Sequence, residues 1–143
     1  MLEVIMINSY NSVSQTVDTN IPLTFDTNKV KSGCAIEHYE GTTVFTLRRP
    51  GEYYISFNGD AAASSATIGD IVVELFNNAV SEPGAIATAY SGTTTDTQNL
   101  KFSTIIKVLP SCRAIDNTST ITIRNSGIPA TFLNANIVIT KLC

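Results

Sequence analysis

The sequence predicts an all-β protein, built as an antiparallel sandwich or barrel. Thr, Val and Ile, whose branched side chains favour extended backbone, supply 45 of the 143 residues. Short segments of alternating apolar and polar residues recur along the chain, separated by Gly, Pro, Asn, Asp and Ser. No segment of twelve residues repeats its apolar positions with the period of a helix. A single domain is expected, because one core commonly spans about 100 to 200 residues.

Ten segments are predicted as strands from this alternation. They are residues 2–7, 21–26, 31–37, 42–48, 52–60, 70–77, 84–91, 98–108, 119–125 and 135–141. Alternate residues of a strand point to opposite faces, so the apolar set of each strand marks its buried face. The expected core is Phe45, Leu47, Tyr53, Ile55, Phe57, Val73, Leu75, Phe102, Ile106, Ile121, Ile123 and Ile137.

The turns between these strands carry residues suited to a chain reversal. Pro50 and Gly51 separate the strands at 42–48 and 52–60. Asn77 and Asn78 tolerate the positive φ that a tight hairpin needs, and they lie at the end of the strand at 70–77.

The first twenty residues are predicted to be an N-terminal arm and linker, and residues 21–143 the folded domain. Residues 8–20 are polar enough for a linker, whereas residues 1–7 are apolar on both strand faces. Such an arm is suited to docking on a partner, and its candidate docking residues are Leu2, Val4, Ile5, Met6 and Ile7. The alternative is that residues 1–7 are the first strand of the domain and pack within their own subunit.

Composition argues against two classes of partner. The net charge is −3 and the pI is near 5.0, so no cluster of Lys and Arg is available for a phosphate backbone. No run approaches 18 apolar residues, so no membrane span is expected. The N-terminal segment carries Glu3 and lacks a basic start, which is unlike a secretory signal, and synthesis in the cytoplasm is therefore expected.

Candidate chemistry is sparse, and we expect no enzymatic activity, no cofactor and no metal. His38 is the one histidine and lies beside Glu37 and Glu40, but no further residue stands at ligand spacing. No nucleophile elbow, zinc-protease or nucleotide-binding motif is present. The Thr-rich segment 91–99 offers hydroxyls and amides to a carbohydrate, although a solvated loop is the simpler interpretation.

Three cysteines, Cys34, Cys112 and Cys143, form no metal or redox spacing. We expect Cys34 and Cys112 to be buried and reduced, and Cys143 to be more exposed.

One motif resembles a known family. The segment runs from Phe45 to Phe57. The aromatic Phe45 precedes Gly51, and Gly51 is followed by large apolar residues at every second position, Tyr53, Ile55 and Phe57. This pattern is similar to the signature of the tumour-necrosis-factor and complement component 1q superfamily, with Ile55 where Phe is usual. The later segments 72–78, 83–89, 100–104, 108–112, 121–127 and 134–141 look like bacterial and bacteriophage members, so the resemblance covers about residues 21 to 142.

The resemblance implies a ten-stranded jelly roll that assembles as a trimer. Tyr54, Ile105 and Val138 point away from the expected core, and they are the candidate trimer-interface residues. No Gly-X-Y repeat precedes the domain, so the collagen stalk of some members is missing. The favoured function is therefore a trimeric decoration or head-fibre-like protein on a bacteriophage virion, whose partners are its own copies and a larger shell or capsid protein. The alternatives are a spore-surface protein of the same fold and a phage-tail module that binds carbohydrate or a receptor.

Overall fold

The computed structural model describes residues 4–65, 68–110 and 118–142, and in these residues the chain forms twelve β-strands. They are β1 (Met6–Asn11), β2 (Gln15–Val17), β3 (Ile21–Pro22), β4 (Thr27–Ser32), β5 (Ile36–Glu37), β6 (Phe45–Leu47), β7 (Gly51–Ala63), β8 (Gly69–Asn77), β9 (Val80–Ser91), β10 (Gln98–Val108), β11 (Ser119–Asn125) and β12 (Ala130–Lys141).

The strands form two antiparallel sheets. Sheet A has the order β10-β7-β12-β1-β4, with β2 also paired to β12. Sheet B has the order β5-β6-β11-β8-β9, with β3 also paired to β11. Neighbouring strands are mostly far apart in sequence, as β12 beside both β1 and β7 illustrates. Register in such a sandwich is therefore fixed by the buried faces of the strands.

The core between the sheets confirms the alternation of the sequence. All twelve predicted core residues are buried, and the most exposed of them, Phe102, reaches only 9%. Phe25 and Phe132 add two fully buried rings. Phe25 meets Phe45 edge to face at 5.4 Å, and Phe57 stacks on Phe102 at 5.5 Å, both favourable aromatic arrangements.

The N-terminal segment differs from the predicted arm and linker. Strand β1 lies between β12 and β4 in sheet A, and β2 continues the pairing along β12. The strands β1 and β2, within residues 6–17, are therefore paired in sheet A. Their polarity is explained by hydrogen bonds: the fully buried Ser9 donates its hydroxyl to Thr27 O at 3.0 Å, and Asn11 donates to Val13 O.

The strand count also differs from the prediction of ten. The predicted strand at 31–37 is divided, because Gly33 takes a φ of 79° and breaks the extended backbone between β4 and β5. The polar segment at 8–20 contributes the short strand β2, which alternation alone does not mark, whereas β3 lies within the predicted strand at 21–26.

Cys34 lies in this break and is exposed, which contradicts its predicted burial. The buried positions of the turn are taken by Ala35 and Ile36, which follow it. Cys112 and Cys143 lie outside the described residues.

Candidate subunit interface

The outer face of sheet A brings the three predicted interface residues onto one surface. Ile105 on β10 is paired directly with Tyr54 on β7, and they are 56% and 38% exposed. Val138 on β12 is half-buried on the same face, between Ser56 of β7 and Asn8 of β1 in the register. Two exposed apolar side chains side by side on a regular sheet indicate a surface suited to contact with another molecule.

Amide side chains form a second zone on this face, next to the apolar one. We call it the amide belt, and it consists of Asn8, Asn58, Asp60, Asn99, Asn134 and Asn136. Asn8 donates to Asn136 at 2.7 Å across β1 and β12. Asn99 donates to Asn58 at 2.9 Å and to Asp60 at 2.8 Å across β10 and β7. The belt therefore spans the four strands β10, β7, β12 and β1.

Asp60 is the charged member of the belt. One carboxylate oxygen accepts from Asn99 and the other accepts from Asn134, each at 2.8 Å. These two amide donors lower the pKa of Asp60, because they stabilise the ionised carboxylate more than burial opposes it. The belt thus presents a fixed negative charge next to the apolar zone of this face.

A shallow depression of about 500 Å³ opens on the same face, between β7 and β10. Its lining residues are Tyr54, Ser56, Phe57, Asn58, Lys101, Phe102 and Ser103. The lining therefore joins the apolar zone to the amide belt.

The predicted docking residues divide between core and surface. Ile7 is fully buried and Ile5 is 9% exposed, so both pack in their own subunit and are unavailable to a partner. Val4 is 59% exposed, and Met6 is half-buried on the outer face in the same row as Tyr54 and Thr140. Leu2 lies outside the described residues.

His38 takes a structural position. It is 4% exposed, with Nδ1 2.6 Å from Asn28 Oδ1 and Nε2 3.0 Å from Thr42 O. Glu40 instead accepts from the backbone N–H of Asn28, and Glu37 pairs with Arg48. No group of three metal-ligating side chains occurs among residues 4–65, 68–110 and 118–142.

The Thr-rich segment 91–99 uses much of its hydrogen-bonding capacity on itself. The Ser91 hydroxyl accepts from Ala63 N–H and lies within 3.0 Å of the carbonyls of Thr93 and Asp96. The Asp96 carboxylate accepts from Gly92 N–H and from the Gln98 amide. These contacts hold the loop in shape and leave fewer groups free for a sugar.

Sequence reasoning missed the amide belt. Asn58, Asp60 and Asn99 occupy outward positions of predicted strands, which was the available signal. The hydrogen bond between Asn134 and Asp60 could not be predicted without the strand register, because 74 residues separate the two.

Within the described part of the chain, no helix is long and apolar enough to cross a membrane. No protein-family model matches the sequence, and no match to a curated protein was found.

Solved structures similar to the chain include cytokine-like and viral proteins. Eiger TNF from S. frugiperda matches with a TM-score of 0.69 and 13% identity, covering 99% of this chain and 94% of that one. Murine APRIL at pH 5.0 matches with a TM-score of 0.68 and 9% identity, covering 99% and 100%. The PRD1 vertex protein P5 matches with a TM-score of 0.61 and 13% identity, covering 96% of each chain.

At identities of 9% to 13% these matches show the fold and do not show the activity. Two antiparallel sheets in this order, aligned over nearly the whole length of each neighbour, give this chain the TNF-like jelly-roll fold.

Proposed function

We propose that the protein is a non-enzymatic structural protein of a bacteriophage virion surface, where it forms a homotrimeric decoration or head-fibre-like protein. Its fold is shared with a phage vertex protein, and the family that its sequence resembles implies a trimer. Synthesis in the host cytoplasm followed by assembly onto a shell fits this function.

The outer face of sheet A is the observation that carries the proposal. Tyr54 and Ile105 are exposed side by side, with half-buried Val138 nearby. Covering apolar area stabilises an assembly by about 25 cal/mol per Å², so contact at this face favours association. A second and a third copy are the proposed cover, and Tyr54, Ile105 and Val138 are the residues in contact.

Attachment to the virion is assigned to the apolar residues Val4 and Leu2 of the N-terminus. Val4 is 59% exposed and precedes the point where β1 enters sheet A, so it can contact a shell or capsid protein without opening the core. Leu2 lies outside the described residues and is assigned to the same contact from the sequence. Met6 belongs to the outer face of sheet A and is available to either contact.

The mass of the purified protein in solution tests the trimer. We expect three times the 15.3 kDa chain mass at micromolar concentration. Replacing Tyr54→Asp and Ile105→Asp together should give a folded monomer, because charges would enter a buried contact. Ile86→Asp is the matched control, since Ile86 is 49% exposed on β9 of sheet B. A monomeric wild type, or a trimer unaffected by the double change, would refute the interface.

Co-purification with virions tests the location. Deleting residues 1–4 leaves β1 intact and should yield a folded trimer that no longer sediments with particles. A truncated protein that stays on the particle would refute attachment through the N-terminus. Recovery of the protein on spores would instead support the spore-surface alternative. Binding of the protein to host-wall glycans would support the carbohydrate-binding alternative.

A further inference from the structure

Four charged side chains occupy outward positions of β7 and β10, and none of them forms an ion pair with another described residue of its own subunit. They are Glu52, Asp60, Lys101 and Lys107. Among the described residues the one salt bridge joins Arg48 and Glu37, which lie elsewhere. Lys107 and Glu52 stand at the same height along the strands because they pair in register, whereas Lys101 pairs with Asn58 and Asp60 pairs with Asn99.

A second copy covering this face would remove water from these charges. An ion buried without a partner costs several kcal/mol, whereas a hydrogen-bonded pair recovers much of that cost. Asp60 is already oriented by two amide donors, and a carboxylate offers about four acceptor positions. It therefore retains capacity for a cation from outside the subunit.

Height along the strands selects that cation. Successive subunits of a ring are related by rotation, which preserves height when the strands run along the axis. Asp60 and Lys101 differ by one outward row, or about 7 Å, which a lysine side chain spans. Lys107 lies in register with Glu52, eight residues from Asp60 along β7, or about 27 Å away.

We propose that in the trimer the Lys101 ammonium of one subunit binds the Asp60 carboxylate of the next, so that the amide belt forms the polar half of the subunit contact. The proposal rests on the trimer proposed above and adds what fixes the register of its subunits. Charge complementarity of this kind contributes to specificity as well as to affinity.

A charge exchange tests the pair, with trimer dissociation followed by sedimentation of the full chain. Lys101→Asp should raise the dissociation constant about tenfold or more, because it places two carboxylates together. The exchange Asp60→Lys with Lys101→Asp should restore most of the lost affinity. Arg124→Asp, on the outer face of sheet B, is the control and should leave association unchanged.

Two neutral variants keep the test valid where a reversed charge disturbs folding. Lys101→Met retains the apolar stem and Asp60→Asn retains hydrogen-bonding capacity, and each should weaken the trimer and reduce its sensitivity to salt. If the wild type is a trimer and its dissociation constant is the same in the two single neutral variants, in Lys101→Asp and in the charge exchange, the ion pair is refuted and the trimer is not. A monomeric wild type would overturn the trimer and the ion pair together.

Discussion

The imidazole of His38 lies face to face on the ring of Phe45, with centroids 4.0 Å apart and planes at 11°. Its two nitrogens lie against the Asn28 side-chain oxygen and the Thr42 carbonyl, so it joins β4 to the loop before β6. Burial lowers the pKa of His38, although the carbonyl of Thr42 and the carboxylate of Glu40 act in the opposite direction. Burial therefore disfavours the charged ring, although both nitrogens face oxygen acceptors.

Stability should fall on mild acidification because of His38. The pKa of an unfolded histidine is about 6.5, and the folded value lies below it, so the unfolded chain binds more protons between the two values. The contribution of His38 is complete above about pH 6.5 and is lost as the pH falls towards the folded pKa. Denaturant unfolding of the wild type and of His38→Gln, from pH 7.5 to 5, measures this.

The Gln variant should be less stable at neutral pH but should show a flatter pH dependence over that range. Asp26 and Asp60 have lowered pKa values and titrate below it, and both proteins share them. Equal slopes in the two proteins would contradict the assignment to His38.

Gly127 packs directly against the backbone of β8. A Cβ at this position would lie 2.3 Å from Asp70 O and 2.6 Å from Val72 N. Those atoms are held in place, because Ser126 N–H donates to Val72 O and Ile128 N–H donates to Asp70 O. Gly127→Ala should therefore lower the free energy of unfolding by about 1 to 3 kcal/mol or more.

Gly92→Ala is the matched control for this substitution. Its Cβ would meet Tyr90 and Asp96 at 3.6 and 3.7 Å, which are ordinary contacts. Its effect should stay within about 0.5 kcal/mol. Equal losses in the two variants, measured by denaturant unfolding, would show that contact with β8 is not the cause.

The core was predictable from the sequence because it depends on local alternation. The burial of Tyr53, Ile55 and Phe57 could be predicted from the two-residue period of a strand alone, and each is fully buried. The position of β1 was not predictable in this way, since Ser9 and Asn11 are polar yet buried. Their hydrogen bonds make burial acceptable. Asn11 bonds locally to the carbonyl of Val13, but the bond from Ser9 to Thr27 exists only once β4 lies beside β1.

The candidate interface was predictable in part for the same reason. Tyr54 and Ile105 alternate with core residues along their strands, so they could be placed on the outer face without knowledge of how the strands pair. The amide belt needed the register, since Asn99 and Asn134 reach Asp60 from two different strands. Long-range pairing of this kind carries no short sequence signal.

Ala79 takes a conformation that favours glycine. The β8–β9 hairpin turns at Asn78 and Ala79, with φ of 51° and 66°. The methyl group of an L-residue is crowded there by about 1 to 2 kcal/mol, while glycine adds some entropy to the unfolded chain. Ala79→Gly should therefore raise the free energy of unfolding by about 0.5 to 1 kcal/mol.

Ala87→Gly on β9 provides the comparison, because the backbone there is extended. That change should lower the stability by about 0.5 to 1 kcal/mol. Thermal or denaturant unfolding of the two variants separates the effects, and a loss of stability in Ala79→Gly would refute the strain at the turn.

Cys34 should react readily with a maleimide in the native protein. Its side chain is exposed in the turn that follows Gly33, whereas a thiol in the core would be inaccessible to the reagent. Mass spectrometry of digested protein, labelled for minutes without denaturant, identifies the modified site. Cys34→Ser should remove that modification and leave the melting temperature unchanged, because the exposed thiol contributes little to the core. Slow labelling at Cys34 that became fast only in denaturant would mean that the turn between β4 and β5 is covered, and Ala35 and Ile36 beneath it would then be the residues to probe next.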